Sequence, residues 1–163
     1  MFLFGTRNRQ LEVHKLMRRA LDKSSPNLPR WEGESRWESR SNRTIPVLLI
    51  PYEEGELSVP EMTTALTKNL SSQGLALVLH QPFRADQVVV GFWGDGEPDF
   101  LLGKVRQNVP LGGGFWQLGL ELTERLRLAD CPALQPLVPQ AAKLEPLRDR
   151  PAVAAANSGG STR

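Results

Sequence analysis

From residue 45 onward, apolar residues occur in short runs that are separated by turn-forming residues. The runs are rich in β-branched and aromatic side chains, and glycine, proline and polar clusters divide them, which is typical of strands. We predict six strands, at residues 45–50, 61–68, 74–80, 87–93, 100–109 and 115–122. Short strands at regular spacing, with turn signals between them, favour an antiparallel barrel over alternating β-α-β units.

Helical spacing occurs on either side of the strand-forming region. Residues 10–22 place apolar side chains at helical intervals, and Ser24, Ser25 and Pro26 end that pattern. Residues 123–130 suit a short helix that packs on the barrel. The chain therefore divides into an N-terminal helical extension with a basic linker (1–35), a β-barrel (36–130) and a Pro/Ala-rich, largely disordered tail (131–163).

The charge of the chain is concentrated at its N-terminal side. Residues 1–43 hold ten Lys or Arg against five acids, whereas the remainder carries a net negative charge. This asymmetry indicates an anionic partner, although a solvated helix face followed by a basic linker explains it as well. The single cysteine, Cys131, excludes an internal disulfide, and no run of about 18 apolar residues could span a bilayer. We therefore expect a cytoplasmic protein.

Two polar elements carry the candidate chemistry. The first is the segment 69–74, which lies between two predicted strands and contains Asn69, Ser71 and Gly74. Taken alone, it is an ordinary hairpin turn. The second is a set of arginines before the first strand, Arg36, Arg40 and Arg43. Guanidinium groups match phosphate oxygens and the O6/N7 edge of guanine, and they stack on purines, but a basic linker in water would have the same composition.

Together, these elements resemble the PilZ family, whose pattern is Arg-x-x-x-Arg before the first strand and Asp/Asn-x-Ser-x-x-Gly one hairpin later. Asn69, Ser71 and Gly74 match the second motif, and Arg36 and Arg40 match the first by spacing. The resemblance covers residues 36–128, and the segments 103–105 and 115–122 are similar to the family's last two strands. It implies a mostly β fold, namely a six-stranded antiparallel barrel with an N-terminal helix and a short C-terminal helix.

The resemblance implies that the chain binds cyclic di-GMP as a bacterial second-messenger receptor or adaptor. The arginines would clamp phosphates and guanine edges, Asn69 and Ser71 would bond the ligand, and Gly74 would keep the barrel wall open. Ser39 stands four residues before Arg43, so either Arg36 with Arg40 or Arg40 with Arg43 forms the clamp. Arg106 could face the same side. We expect a downstream protein partner, with no metal and no cofactor besides the ligand.

Other functions are less well supported by the sequence. The two histidines and Cys131 form no recognisable metal or nucleophile arrangement, and no paired carboxylates stand out, so we do not expect an enzyme. Trp37 and Trp116 could stack on a base, but packing explains them better. Two alternatives stay open: a PilZ-like protein-interaction adaptor that binds no nucleotide, and a small barrel that binds single-stranded nucleic acid through the basic N-terminal third.

Overall fold

The computed structural model describes residues 9, 11–13, 15, 16, 44–93 and 96–144, and the strands of this part dominate the fold. There are seven of them in the described residues: β1 (Pro46–Glu53), β2 (Glu56–Leu57), β3 (Thr63–Leu70), β4 (Gly74–Leu79), β5 (Gln87–Trp93), β6 (Pro98–Gly112) and β7 (Phe115–Leu126). Short 3-10 helices occupy Val59–Glu61 and Pro132–Leu137, and an α-helix follows at Val138–Ala142.

Six of these strands close into an antiparallel barrel. The hydrogen-bonded order is β1-β3-β4-β7-β6-β5, and β5 pairs back onto β1, so the sheet has no open end around the ring. The two-residue β2 adds only a small hairpin to β1. Closure satisfies the strand edges that an open sheet would expose. The six-stranded antiparallel barrel that the sequence predicted is therefore confirmed.

The barrel interior is filled by every second residue of its strands, as the pleat requires. Leu49, Leu77, Leu101 and Leu118 have no exposed surface, and they belong to one contiguous apolar cluster. Full burial of a leucine contributes about 1.5–3 kcal/mol relative to exposure. Trp116 packs against the same cluster and is half-buried, which supports a packing role for this side chain.

A second apolar cluster lies on the outside of β1, β5 and β6. The outward residues Leu48, Ile50, Val89 and Phe100 contact Leu134, Leu137 and Ala141 of the C-terminal helices. Because both faces of β1 are buried, its sequence is a continuous apolar run rather than an alternating one. These helices start within the segment assigned to the tail, and the rest of that segment lies outside the described residues.

The helix predicted at residues 123–130 is wrong. Residues 123–126 continue β7, and Leu102↔Glu124, Leu101↔Arg125 and Phe100↔Leu126 pair across to β6. The local composition suits a short helix, but pairing with a neighbouring strand overrides a weak local preference. The C-terminal helical residues begin only at Pro132.

At the N-terminal side, the described residues between 9 and 16 are helical, as the sequence predicted for that region. The remainder of the predicted helix, like the linker up to residue 43, lies outside the described residues. No helix in the described ranges has the length and apolar character needed to cross a membrane.

Candidate functional site

The Ser71 hydroxyl organises the turn between β3 and β4. Its oxygen accepts hydrogen bonds from the backbone N–H of Gly74 (3.1 Å) and of Gln73 (3.4 Å). The hydroxyl also donates to the carbonyl oxygen of Gly74 at 3.3 Å, while the Ser71 N–H donates to the same oxygen at 3.0 Å. A serine hydroxyl has one proton and two lone pairs, and all three are used within this turn. The structure thus gives Ser71 a role in shaping the turn.

Gly74 is required by the contact between two strands. A Cβ at this position would overlap the carbonyl oxygen of Leu120 on β7, and that oxygen belongs to the backbone and has little freedom to move. Gly74 pairs with Glu121, and Leu122 N–H donates to Gln73 O at 2.8 Å, so the turn is fastened to β7. The glycine therefore allows β4 to approach β7 closely, which is a structural reason for its place in the motif.

Asn69 is the motif residue whose side chain stays available. It lies near the end of β3, directly after a register shift between Thr67 and Asn69, and it pairs with Ala76. Its side chain is half-buried and makes no hydrogen bond within the described residues. An amide with two donors and one acceptor, at the end of a strand, is free to bond a ligand there.

The linker joins the barrel beside this turn. The Ile45 N–H donates to the Thr67 hydroxyl at 2.7 Å, and the Thr67 N–H donates to Ile45 O at 3.0 Å. Thr67 precedes Asn69 by two residues, and one peptide bond separates Thr44 from Arg43. Arg36, Arg40 and Arg43 themselves lie outside the described residues, so the structure tests neither clamp arrangement.

The N-terminal helical residues lie against the same end of the barrel. Val13 and Leu16 are buried in the interior cluster, at 1% and 8% exposure. Glu12 pairs with Arg127 at 2.8 Å, and Arg9 pairs with Glu124 at 3.5 Å, both at the end of β7. The arginine-bearing linker therefore connects two anchored elements, this helix and β1, that meet at one end of the barrel.

A charged pair lies next to Gly74, and of its two residues the sequence analysis considered Arg106 but not Glu121. Glu121 is the register partner of Gly74 on one side and of Lys104 on the other. Its Oε2 accepts a hydrogen bond from Nε of Arg106 and forms an ion pair with Nη2 of the same residue. Strand alternation places Glu121 outward between buried Leu120 and Leu122, but no local signal shows that β7 lies beside β4.

The described residues offer little for metal or nucleophilic chemistry. No group of three or more His, Cys, Asp or Glu side chains among them could hold a metal ion. Cys131 is half-buried and packs against the outer apolar cluster, and His80 is exposed in the loop after β4. His14 lies outside the described residues. At the β3–β4 turn, the available Asn69 amide can donate to and accept from a polar ligand.

Comparisons with known proteins give structural likenesses only. No protein-family model matches the sequence, and no curated protein does. The structure of the Bacillus subtilis inhibitor of motility MotI/DgrA is similar over 72% of this chain and 56% of that chain, with 17% identity and a TM-score of 0.43. The structure of K. pneumonia MrkH in its apo state is also similar over 72% of this chain and 56% of that chain, with 14% identity and a TM-score of 0.37.

This chain thus spans little more than half the length of either neighbour. At these identities and TM-scores, the likeness says nothing about ligands or partners. The function of the chain is therefore inferred from its own residues.

Proposed function

We propose that the chain is a receptor for cyclic di-GMP that transmits binding to a protein partner and performs no chemistry. The observation that carries this proposal is the Ile45–Thr67 hydrogen-bond pair. It joins Ile45, two residues after Arg43, to β3, the strand that carries Asn69 near its end. Thr44, the residue that follows Arg43, and Asn69 are therefore close to the same end of the barrel, which supports a joint site for the two elements of the PilZ-like pattern.

The chemistry of the two elements is complementary to that of a cyclic guanine dinucleotide. Guanidinium forks bind phosphate oxygens and the O6/N7 edge of guanine, and the Asn69 amide can donate and accept at the barrel wall. A net hydrogen bond to a charged group contributes about 1.5–3 kcal/mol. Micromolar binding corresponds to about 8 kcal/mol, and two or three arginine contacts together with base stacking contribute a gross free energy of that order.

Binding would also produce a signal in this architecture. The linker runs between the helix that carries Val13 and the first residues of β1, and both are anchored at the ligand end of the barrel. A ligand that draws the arginines onto the barrel surface would fix the linker there and change how firmly the helix is held. A shift of a helix against the element on which it packs is an established way to pass on a binding event.

A second candidate function has a specific observation in its favour. Ser71 and Gly74 are both explained by the structure of the turn and its packing on β7, without any ligand. A barrel that has become a protein-interaction adaptor would keep these two residues for stability. Such an adaptor would have no need of the arginines or of an available Asn69 side chain.

Titration calorimetry of cyclic di-GMP into the full chain separates the two candidates. The variants are Arg40→Ala and Asn69→Ala, with Arg84→Ala as the matched control because Arg84 is exposed in the loop at the other end of the barrel. We expect micromolar or tighter binding that Arg40→Ala abolishes, Asn69→Ala weakens and Arg84→Ala leaves unchanged. GTP should not compete. A folded wild-type protein that gives neither binding heat nor a thermal shift would support the adaptor function instead.

A further inference from the structure

The carboxylate of Glu121 occupies the position on β7 that faces the β3–β4 turn. Glu121 is the register partner of Gly74, and antiparallel partners have their Cα atoms about 4.5–5.5 Å apart. The neighbouring Leu120 and Leu122 are buried in the barrel, so Glu121 points to the outer surface, where its side chain is 41% exposed. The C-terminal helices cover β1, β5 and β6, and they leave this face of the described structure open.

Arg106 holds this carboxylate through one of its two oxygens. It lies at a register shift in β6 between Val105 and Gln107, and its Nε donates a hydrogen bond to Glu121 Oε2, while its Nη2 forms an ion pair with the same oxygen. No hydrogen bond reaches Glu121 Oε1 within the described residues. The pair has no net charge, so the carboxylate does not repel an anionic ligand as a lone Glu would, and Oε1 keeps its acceptor capacity.

We propose that Glu121 is the residue that selects guanine and that Arg106 is a positioning residue for it; this proposal rests on the proposed function. The Watson–Crick edge of guanine carries an N1–H and a 2-amino group, which are both donors. A carboxylate only accepts, so it is complementary to this edge. Adenine has an acceptor at N1 and no 2-amino group, so it would place a lone pair against the carboxylate.

The position of Glu121 makes this assignment specific. In the sheet, β4 is the strand between β3 and β7. A base that Asn69 binds near the end of β3 is therefore two strand spacings from β7. The outward β4 residues on this path are Ala76, the register partner of Asn69, and Gly74, the register partner of Glu121, and neither has a side chain larger than a methyl group. Arg106 would act through the carboxylate by fixing its orientation, and it would affect base selection more than phosphate affinity.

The test is calorimetric titration of three ligands into the full chain: cyclic di-GMP, cyclic di-IMP, which lacks the 2-amino group, and cyclic di-AMP. The variants are Glu121→Gln and Arg106→Gln. Glu124→Gln is the matched control, because this carboxylate is on the same strand and pairs with an exposed arginine at 3.5 Å. We expect Glu121→Gln to weaken cyclic di-GMP binding about tenfold or more and to reduce the ratio of cyclic di-GMP to cyclic di-IMP affinity. Arg106→Gln should reduce the same ratio, and Glu124→Gln should leave it unchanged.

The outcomes separate this inference from the function on which it rests. If the wild-type chain binds cyclic di-GMP but Glu121→Gln binds it equally well or more tightly, the assignment of Glu121 is wrong and the receptor function stands. If the folded wild-type chain binds none of the three ligands, the receptor function fails and the inference fails with it. Unchanged melting temperatures of the variants would show that any loss is local to the site.

Discussion

The backbone N–H of Ile45 donates to the side-chain hydroxyl of Thr67 over 2.7 Å, at the point where the linker becomes the first barrel strand. Thr67 is 2% exposed, and the bond itself is partly buried. A buried backbone N–H without a partner costs about 1–3 kcal/mol. This side chain therefore satisfies the N–H that precedes β1 and fixes the position of Ile45, two residues after Arg43.

Thr67→Val tests this role, because valine has the shape of threonine but offers no acceptor. We expect a loss of about 1–3 kcal/mol in the free energy of unfolding, measured by urea denaturation. Cyclic di-GMP affinity should fall as well, since Ile45, two residues after Arg43, would no longer be fastened to the strand that carries Asn69. Thr64→Val is the control, because Thr64 is exposed on the same strand and should change stability by less than about 0.5 kcal/mol. Equal effects of the two substitutions would contradict the role of this bond.

Gly74→Ala should destabilise the barrel whether or not a ligand is present. The added Cβ would overlap Leu120 O, so the two strands would have to separate, at a cost of about 1–3 kcal/mol. The melting temperature in the absence of ligand is the measurement. Gly103→Ala is the matched control, because a Cβ there would meet its nearest neighbour, Glu121 O, at 3.4 Å, which is ordinary contact. A Gly74→Ala protein that melts like the wild type but loses ligand would instead favour a direct role in binding.

The strands of the barrel could be predicted from the sequence because each has a local signature. Turn-forming residues bound every apolar run, and the Asn69–Gly74 segment has the composition of a turn, which it proves to contain. The end of β7 could not be predicted in the same way. Glu124 and Arg125 have no strand signature of their own, and only their pairing with Leu102 and Leu101 extends the strand.

The roles of the candidate site residues could not be predicted from the sequence around them either. Gly74 and Leu120 are far apart in the sequence, so nothing near Gly74 shows that a carbonyl oxygen occupies the space of its missing side chain. The same holds for Glu121, which becomes a site candidate only because β7 pairs with β4. The helical pattern of residues 10–22 predicted an apolar face, but it did not reveal that Val13 would be buried in the barrel interior.

Val13→Ala tests whether the N-terminal helix is part of the folded barrel. Val13 is 1% exposed within the interior cluster, so removal of two methyl groups should cost about 1–3 kcal/mol. Leu11→Ala removes a larger side chain from the same helix, but Leu11 is 50% exposed, and we expect a change below about 0.5 kcal/mol. Urea denaturation of both variants is the measurement. A Val13→Ala protein as stable as the wild type would show that the helix does not contribute to the core.

Asp99→Asn should destabilise the barrel far more than the loss of an exposed ion pair at the same end. Asp99 Oδ1 accepts from Arg125 Nη2 at 2.6 Å, and the two side chains are 11% and 34% exposed. Neutralising Asp99 leaves the guanidinium partly desolvated beside an uncharged partner, at a cost of about 1–3 kcal/mol. Glu124→Gln breaks the pair with Arg9, whose side chain is 62% exposed, and should cost less than about 1 kcal/mol. Urea denaturation at low and high salt should show that added salt lessens the smaller effect and leaves most of the larger one, because ions screen the partly buried Asp99–Arg125 pair less than the exposed pair.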